Sequence, residues 1–426
     1  MKKQKSNNKY YKVSSYEATE PKKVLLLYSG GLDTSCILKW IQDKYKAEVI
    51  TLTFDLGQQS DDLNKIKEKA LKYGAKKAIV LDVKDEFANR YLSKAIKANV
   101  NYQGDYRIST ISRYIMAEKA IEIAKKEKCD TIAHGCTGKG NDQLRFESSM
   151  IVLNPNIKVL APVREWSMGR DEEIEYAKKH GIEVIQKADF PYSSDDNMWG
   201  ITWEGGEIED NNAVPMIEKF VAITLPENAP DKPEFIELEF ERGIPIKLNG
   251  KKMKLSQLIN ELNKIGSKHG IGLVYMIEDR VVGLKVRGVY EHPAAHIIIE
   301  AHKKLELFIG TREENEFKSI IDLKWGYLVY GSKWFDPLMN DLNAFIDKMN
   351  ERVNGKVKVK LYKGKADVVA FDSPNKVYSQ KLATFNKNMD FNQNCSPGFI
   401  EIFTLQMKMA NQVKDGKNGN KKNMGN

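Results

Sequence analysis

The chain has 426 residues, 42% of them hydrophobic, which fits two ordinary globular domains. It holds no run of about eighteen apolar residues and no apolar stretch behind its Lys-rich N-terminus, so neither a membrane span nor a secretory signal is expected. The net charge of +9 sits in the tails (seven lysines against two glutamates in residues 1–23, five lysines against one aspartate in 408–426), leaving a neutral body and arguing against a nucleic-acid partner.

In chain order, residues 1–22 are a polar, basic segment expected to be disordered. Val24–Tyr28 then reads as a buried strand, and Cys36–Ile41 as a helix with an apolar face. Between them lies Ser29-Gly30-Gly31-Leu32-Asp33-Thr34-Ser35. A strand, a tight Gly-Gly turn and a helix N-terminus make an anion cradle, because free backbone N–H groups and the positive helix end point at one place. The glycines let the backbone approach an anion without a Cβ in the way. Neither a Walker nor a G-x-G-x-x-G pattern is present there. The plainer reading is a Gly-Gly turn capped by Asp33 or Thr34.

Strand and helix signals then alternate: Glu48–Phe54, Asp61–Tyr73, Ala78–Asp82, Asp85–Ala98, Ile111–Glu127, Asp130–His134, Lys158–Pro162 and Asp171–His180. Such alternation predicts an α/β domain over 23–187, a parallel sheet with helices on both faces. Ligands of such sheets bind beyond the carboxyl ends of the strands, where Ser29, Asp55, His134 and Pro162 fall. A second, α+β domain is expected over 188–385, with strands at Phe235–Phe240, Val281–Val286, Val357–Tyr362 and Asp367–Ala370 and helices at Leu255–Lys264 and Ile297–Phe308. Residues 386–410 read as a C-terminal oligomerisation arm, strand or helix, and 411–426 as a second disordered tail. The four cysteines, Cys36, Cys129, Cys136 and Cys395, have no C-x-x-C spacing, which argues against disulfides and a zinc knuckle and fits a reducing cytoplasm.

A second dense run is His134-Gly135-Cys136-Thr137-Gly138-Lys139-Gly140-Asn141-Asp142-Gln143-Leu144-Arg145-Phe146-Glu147. It offers backbone N–H groups, one point charge for phosphate and a planar fork for a carboxylate. A polar loop with a helix cap at Asn141 or Asp142 accounts for the cap but not for Lys139 and Arg145. His292, His296 and His302 are read as a structural set, since Pro293 is expected to break the helix between the first two; no metal site is expected.

The first run, Ser-Gly-Gly-x-Asp-[Thr/Ser]-Ser, resembles the PP-loop of ATP pyrophosphatases, which hold the departing pyrophosphate. Both runs together resemble the argininosuccinate synthase family, and matches such as Ala161–Trp166, Lys268–Gly272, Glu278–Arg280 and Arg287–Glu291 extend the resemblance over about residues 22–407. It implies an adenine nucleotide alpha hydrolase-like domain, a synthetase domain and a ligase of arginine biosynthesis. Citrulline's ureido oxygen would attack the α-phosphate of ATP; the amine of aspartate would then displace AMP from the citrullyl-adenylate. By the resemblance, ATP falls to Tyr28, Ser29, Gly30, Gly31, Leu32, Asp33, Thr34, Ser35, Cys36, Phe54 and Gly135, with Mg2+ arriving on the nucleotide and no dedicated protein cage. Aspartate falls to Thr137, Asn141 and Asp142. Citrulline falls to Tyr106, Thr110, Asn141, Arg145, Ser193, Thr202, Glu278 and Tyr290. A homotetramer in the cytoplasm is the family's usual state.

One segment departs from the family. Its citrulline stretch reads Tyr-x-x-x-Thr-Ser-x-x-Arg, whereas Tyr106–Arg113 is one residue short and has Ile111 after Thr110. Removing a residue at a helix start rotates the downstream side chains by about 100°, which is expected to put Tyr106 or the hydroxyl pair out of register, with Ser112 a stand-in hydroxyl. The alternatives are a nucleotide-binding relative that has lost citrulline turnover, or another PP-loop adenylating enzyme. The latter wants a catalytic cysteine pair or a glutaminase domain, and neither is visible.

Overall fold

The computed structural model describes residues 16–58, 62–166, 168–184, 191–386 and 390–419. Five strands, β1 (Lys23–Leu27), β2 (Glu48–Asp55), β3 (Lys77–Asp82), β4 (Thr131–Ala133) and β5 (Lys158–Leu160), form a sheet in the order β3-β2-β1-β4-β5. Every pairing is parallel. β1 and β4 sit inside the sheet with helices on both faces, which is why Val24–Leu27 and Thr131–Ala133 are buried without alternation. The chain leaves β1 and β4 in opposite directions along the sheet, so the crevice beyond their carboxyl ends is the topological switch point. Both dense sequence runs start at that crevice.

The expected helices are present with shifted ends. The first runs Leu32–Tyr45 and stops at Lys46, which takes a left-handed conformation. The helix expected over 85–98 is two α-helical pieces, Lys84–Phe87 and Ser93–Lys97, joined by a π-turn at Ala88–Leu92. Residues 16–22 correct the expectation of a disordered N-terminal tail. Glu17 bridges Val159 in parallel, and Ala18 and Pro21 are buried.

Beyond residue 190 the sheets are antiparallel. β6 (Tyr192–Asn197) and β7 (Gly200–Gly205) pair into a four-stranded sheet, order β11-β12-β7-β6, with β11 (Leu273–Asp279) and β12 (Lys285–Glu291). A second sheet has the order β10-β9-β8-β13-β14, from β8 (Glu234–Glu241), β9 (Ile244–Leu248), β10 (Lys251–Lys252), β13 (Gly355–Tyr362) and β14 (Lys365–Asp372). The strand expected over 281–286 is corrected: Val281–Gly283 form the hairpin turn between β11 and β12, where Gly283 has φ +92°. Pro293 does not break a helix but opens one, Pro293–Ile309, because the first helical position needs no N–H. In that helix His302 is fully buried between the side-chain carbonyls of Asn99 and Asn350, 2.7 Å from each.

The described residues from Val377 onward form a separate unit. Its main elements are the helices Ser396–Phe403 and Leu405–Gly419, so the arm is helical and continues to Gly419, into the tail expected to be disordered.

Candidate functional site

At the end of β1 the chain turns on Gly30, whose φ is +79°. A Cβ there would lie 2.8 Å from Ile66, so the position suits only glycine. Gly31 is the N-cap of the following helix and supplies no side-chain acceptor, which leaves the first-turn N–H groups facing the crevice. Hydroxyls fix the turn from within. Ser35 Oγ donates to the Gly31 carbonyl at 2.8 Å and lies 2.9 Å from Tyr28 Oη, while Ser29 Oγ and Thr34 Oγ1 are 3.2 Å apart. Burial, with Tyr73 adding to it, pushes the Tyr28 phenol up to about 12. The cleft above this turn has a volume of about 1340 Å³. Of the residues assigned to ATP, Tyr28–Thr34, Phe54 and Gly135 line it. Ser35 and Cys36 are buried in the helix base beneath the turn. Lys65, Lys69 and Lys72 line the same cleft from helix Leu63–Lys72, and Lys69 Nζ donates to the Gly30 carbonyl at 3.3 Å.

A smaller cleft of about 310 Å³ adjoins it, sharing Gly135, Cys136, Asp142 and Ser193–Asp195. All the residues assigned to aspartate and citrulline line it: Tyr106, Thr110, Thr137, Asn141, Asp142, Arg145, Ser193, Thr202, Glu278 and Tyr290. Side chains build this cleft. Asp142 accepts from Arg145 Nη1 at 2.8 Å and from Arg113 Nε and Nη2 at 3.0 and 2.9 Å. Burial opposes its charge, yet the two guanidiniums outweigh burial and hold its carboxyl down at about 2. Arg113 also reaches Asp195 at 2.7 Å, tying the parallel-sheet domain to β6. Arg145 directs Nε and Nη2 to the Tyr330 carbonyl at 3.3 and 3.1 Å, which leaves two of a guanidinium's five N–H donors for a substrate carboxylate. Tyr290 and Tyr330 both donate to Glu278, and Asn141 Nδ2 donates to Tyr330 Oη at 2.8 Å.

The shortened segment does not fall out of register. Ile108 adopts φ +49°, a strained conformation for a β-branched residue, and Ser109–Ile111 form a tight 3-10 turn. That turn takes up the missing residue before helix Ser112–Glu127 begins. Tyr106 Oη lies 3.2 Å from Ser109 Oγ and 3.3 Å from Thr110 Oγ1; Tyr106 and Thr110 line the smaller cleft, and Ser109 is fully buried. Burial, then the nearby Glu278 charge, pushes the Tyr106 phenol up to about 12. Ser112 does not serve as the stand-in hydroxyl: it is fully buried, and its Oγ accepts from Arg113 Nη1 at 3.2 Å. The strain is held from the other domain. Asn197 Nδ2 donates to the Ser109 carbonyl at 3.1 Å, and Trp199 Nε1 to the Arg107 carbonyl at 2.8 Å.

Three site residues were not singled out from the sequence. Arg113 ended the departing segment, but its partners are distant in sequence. Asp195 sits in an unremarkable Ser-Ser-Asp-Asp run. Tyr330 ends a long helix, Arg312–Tyr330, with no motif around it; its stacking on Tyr102, with ring centroids 3.6 Å apart, exists only in the fold. Among the described residues no cluster of His, Cys, Asp and Glu could hold a metal ion, and no helix is long and apolar enough to cross a membrane.

A glycine turn at the switch point of a parallel sheet, joined to a charged cleft shared with a second domain, defines an α/β nucleotide-binding enzyme that sets a phosphate chain beside a polar substrate. Comparison with known proteins makes this specific. A family model described as the arginosuccinate synthase N-terminal HUP domain matches residues 23–183, and one for the C-terminal domain of the same family matches 192–410. The chain is 51% identical to an argininosuccinate synthase of Pyrococcus furiosus over 92% of this chain and 95% of that one. It is 48% identical to that of Geobacillus kaustophilus over 92% and 96%, and 44% identical to that of Caldanaerobacter subterraneus over 93% and 97%. The chain belongs to the argininosuccinate synthase family.

Proposed function

We propose that the chain ligates L-citrulline and L-aspartate at the expense of ATP, forming argininosuccinate, AMP and pyrophosphate. The observation that carries the reading is the pair of joined clefts, one built of backbone N–H groups and the other of paired charges, meeting at Gly135, Cys136 and Asp142. In this reading ATP lies in the larger cleft with its β- and γ-phosphates on Ser29–Ser35. The backbone donors and helix end stabilise the charge that grows on the departing pyrophosphate. Lys65, Lys69 and Lys72 add positive charge from the facing helix. Mg2+ would arrive on the triphosphate, neutralising part of its charge.

Citrulline lies in the smaller cleft. Its carboxylate takes the remaining N–H donors of Arg145, and the hydroxyls of Tyr106, Thr110, Ser193 and Thr202 orient it beside Glu278 and Tyr290. Aspartate binds at Thr137, Asn141 and Asp142. The low Asp142 carboxyl stays charged at neutral pH and so can hold an ammonium group. The chemistry needs positioning more than a protein nucleophile. A relative without turnover rested on the shortened Tyr106–Arg113 segment; that Tyr106 and Thr110 both line the smaller cleft supports the ligase reading instead.

The chain divides in this reading into an ATP domain (23–187), a synthetase domain (188–385) and an arm (386–410) that joins copies into a homotetramer. Exposed Phe399, Ile402, Phe403 and Met409 on the arm support assembly, since such side chains gain from burial against another copy. Four free thiols fit the cytoplasm. Incubation with citrulline labelled with oxygen-18 in its ureido group tests the chemistry: the label should appear in AMP, and label-free AMP would exclude the adenylate.

A further inference from the structure

The hairpin of β6 and β7 is a wall common to both clefts. Ser193–Asp195 of β6 line both of them, and Thr202 of β7 lines the smaller one. The turn of this hairpin is buried, with Asn197, Met198 and Trp199 each at most 3% exposed. A buried turn has to place its backbone and side-chain polar groups, and this one places them on both clefts. Met198 N donates at 3.0 Å to the carbonyl of Leu56, which lines the larger cleft beside Phe54. Gly57 follows with φ +79°, and a Cβ there would lie 3.1 Å from Met198 Cβ, so the two segments are in close contact. Asn197 and Trp199 hold the Ser109 and Arg107 carbonyls, on either side of strained Ile108 and adjacent in sequence to Thr110 and Tyr106 of the smaller cleft.

The turn is itself held by a residue that lines neither cleft. Asn263, buried in helix Leu255–Lys268, donates from Nδ2 to the Met198 carbonyl at 2.8 Å. Its Oδ1 accepts from Ala294 N at 3.0 Å. Ala294 lies in the first turn of helix Pro293–Ile309, whose N-cap, His292, supplies no side-chain acceptor. A carbonyl on one side and an N–H on the other fix which way the amide points.

We propose that Asn263 is a positioning residue for both clefts, acting through the Asn197–Gly200 turn. Its kinetic consequence rests on the reading of the clefts as ATP and citrulline sites; its hold on the turn does not. The helix contact and the turn contact use different atoms, so they can be separated. Asn263→Asp keeps an acceptor for Ala294 N, at a helix end that favours negative charge, and loses the donor to Met198. Asn263→Ala loses both.

The test uses full-length protein carrying each substitution. Without substrates, deuterium exchange should be about fivefold faster in the peptides covering 197–200 and 108–112 of Asn263→Asp, the worth of one buried hydrogen bond. Exchange in β13 and β14 should be unchanged. The KM for ATP and the KM for citrulline should each rise about fivefold, with kcat and the KM for aspartate within about twofold. Asn263→Ala should show the same pattern. Unchanged exchange in both peptides of both variants would overturn the proposal, as would a rise across the whole chain or a KM shift confined to one substrate. So would the pattern in Asn263→Ala with normal behaviour in Asn263→Asp, since the helix contact alone would then matter. Faster exchange in both peptides without argininosuccinate formation by the unaltered enzyme would keep the positioning role and sink the cleft assignments instead.

Discussion

The two clefts are built from different materials. The larger cleft presents its glycine turn as backbone: Gly30 and Gly31 shape the turn, and Ser35 and Thr34 brace it from below. The adjoining cleft is made of side chains brought from six separate stretches of chain, with ion pairs linking several of them. A backbone site is encoded in consecutive residues and tolerates changes in its neighbours. A side-chain site is encoded in the whole fold, and the loss of one member strands a buried charge. Perturbations of the two clefts should therefore differ in size and in the substrate they affect.

The largest effect is expected for Arg145→Ala. It removes the guanidinium proposed to take the citrulline carboxylate and leaves Asp142 with Arg113 alone, so kcat/KM for citrulline should fall about 10²- to 10³-fold. The KM for ATP, from initial rates at saturating citrulline, should move less than about threefold. Equal shifts for both substrates would erase the distinction between the clefts. Next is Gly30→Ala, which forces a Cβ into a positive-φ turn against Ile66. The KM for ATP should rise about tenfold, with citrulline binding by calorimetry unaltered, as strain of about 1–3 kcal/mol is confined to the turn.

Asn197→Ala probes the strained turn. Without the bond to the Ser109 carbonyl, Ile108 is free to relax, and Tyr106 and Thr110 lose their common aim. The KM for citrulline should rise about fivefold, the worth of one buried hydrogen bond, while the KM for ATP stays put. The smallest effect concerns acid stability. Burial opposes the Glu147 charge, but His134 and Arg164 outweigh it and hold the carboxyl at about 2, below its ordinary 4.5. A lowered folded-state value gives stability that is present above about 4.5 and drains away as pH falls toward 2. Thermal melts across that window should be less pH-dependent in Glu147→Gln than in the unaltered chain.

The same contrast explains what the sequence disclosed. The parallel sheet was legible because buried strands and amphipathic helices alternate at readable spacing, and the glycine turn because its chemistry lies in seven adjacent residues. Glu278, Tyr290 and Thr202 were reached through resemblance alone, since nothing local marks them. Tyr330 and Asp195 escaped because their meaning comes from partners on other elements. The shortened segment was misjudged for a related reason. A helix-rotation argument assumes a regular helix start, whereas Ile108 and the 3-10 turn absorb the missing residue, and Asn197 and Trp199 hold the strain from the other domain. The N-terminal segment looked too polar to fold, and Tyr16–Ala18 gain order by adding to a sheet edge rather than by forming a core.

The central claim is that both clefts serve one reaction in which citrulline is adenylated before aspartate attacks. Pyrophosphate release, measured with each substrate omitted in turn, tests it most directly. The account predicts sustained release with ATP, citrulline and aspartate, release limited to about one equivalent per site without aspartate, and none without citrulline. Release that persists without citrulline, or no release in any combination by protein that binds ATP, would contradict it.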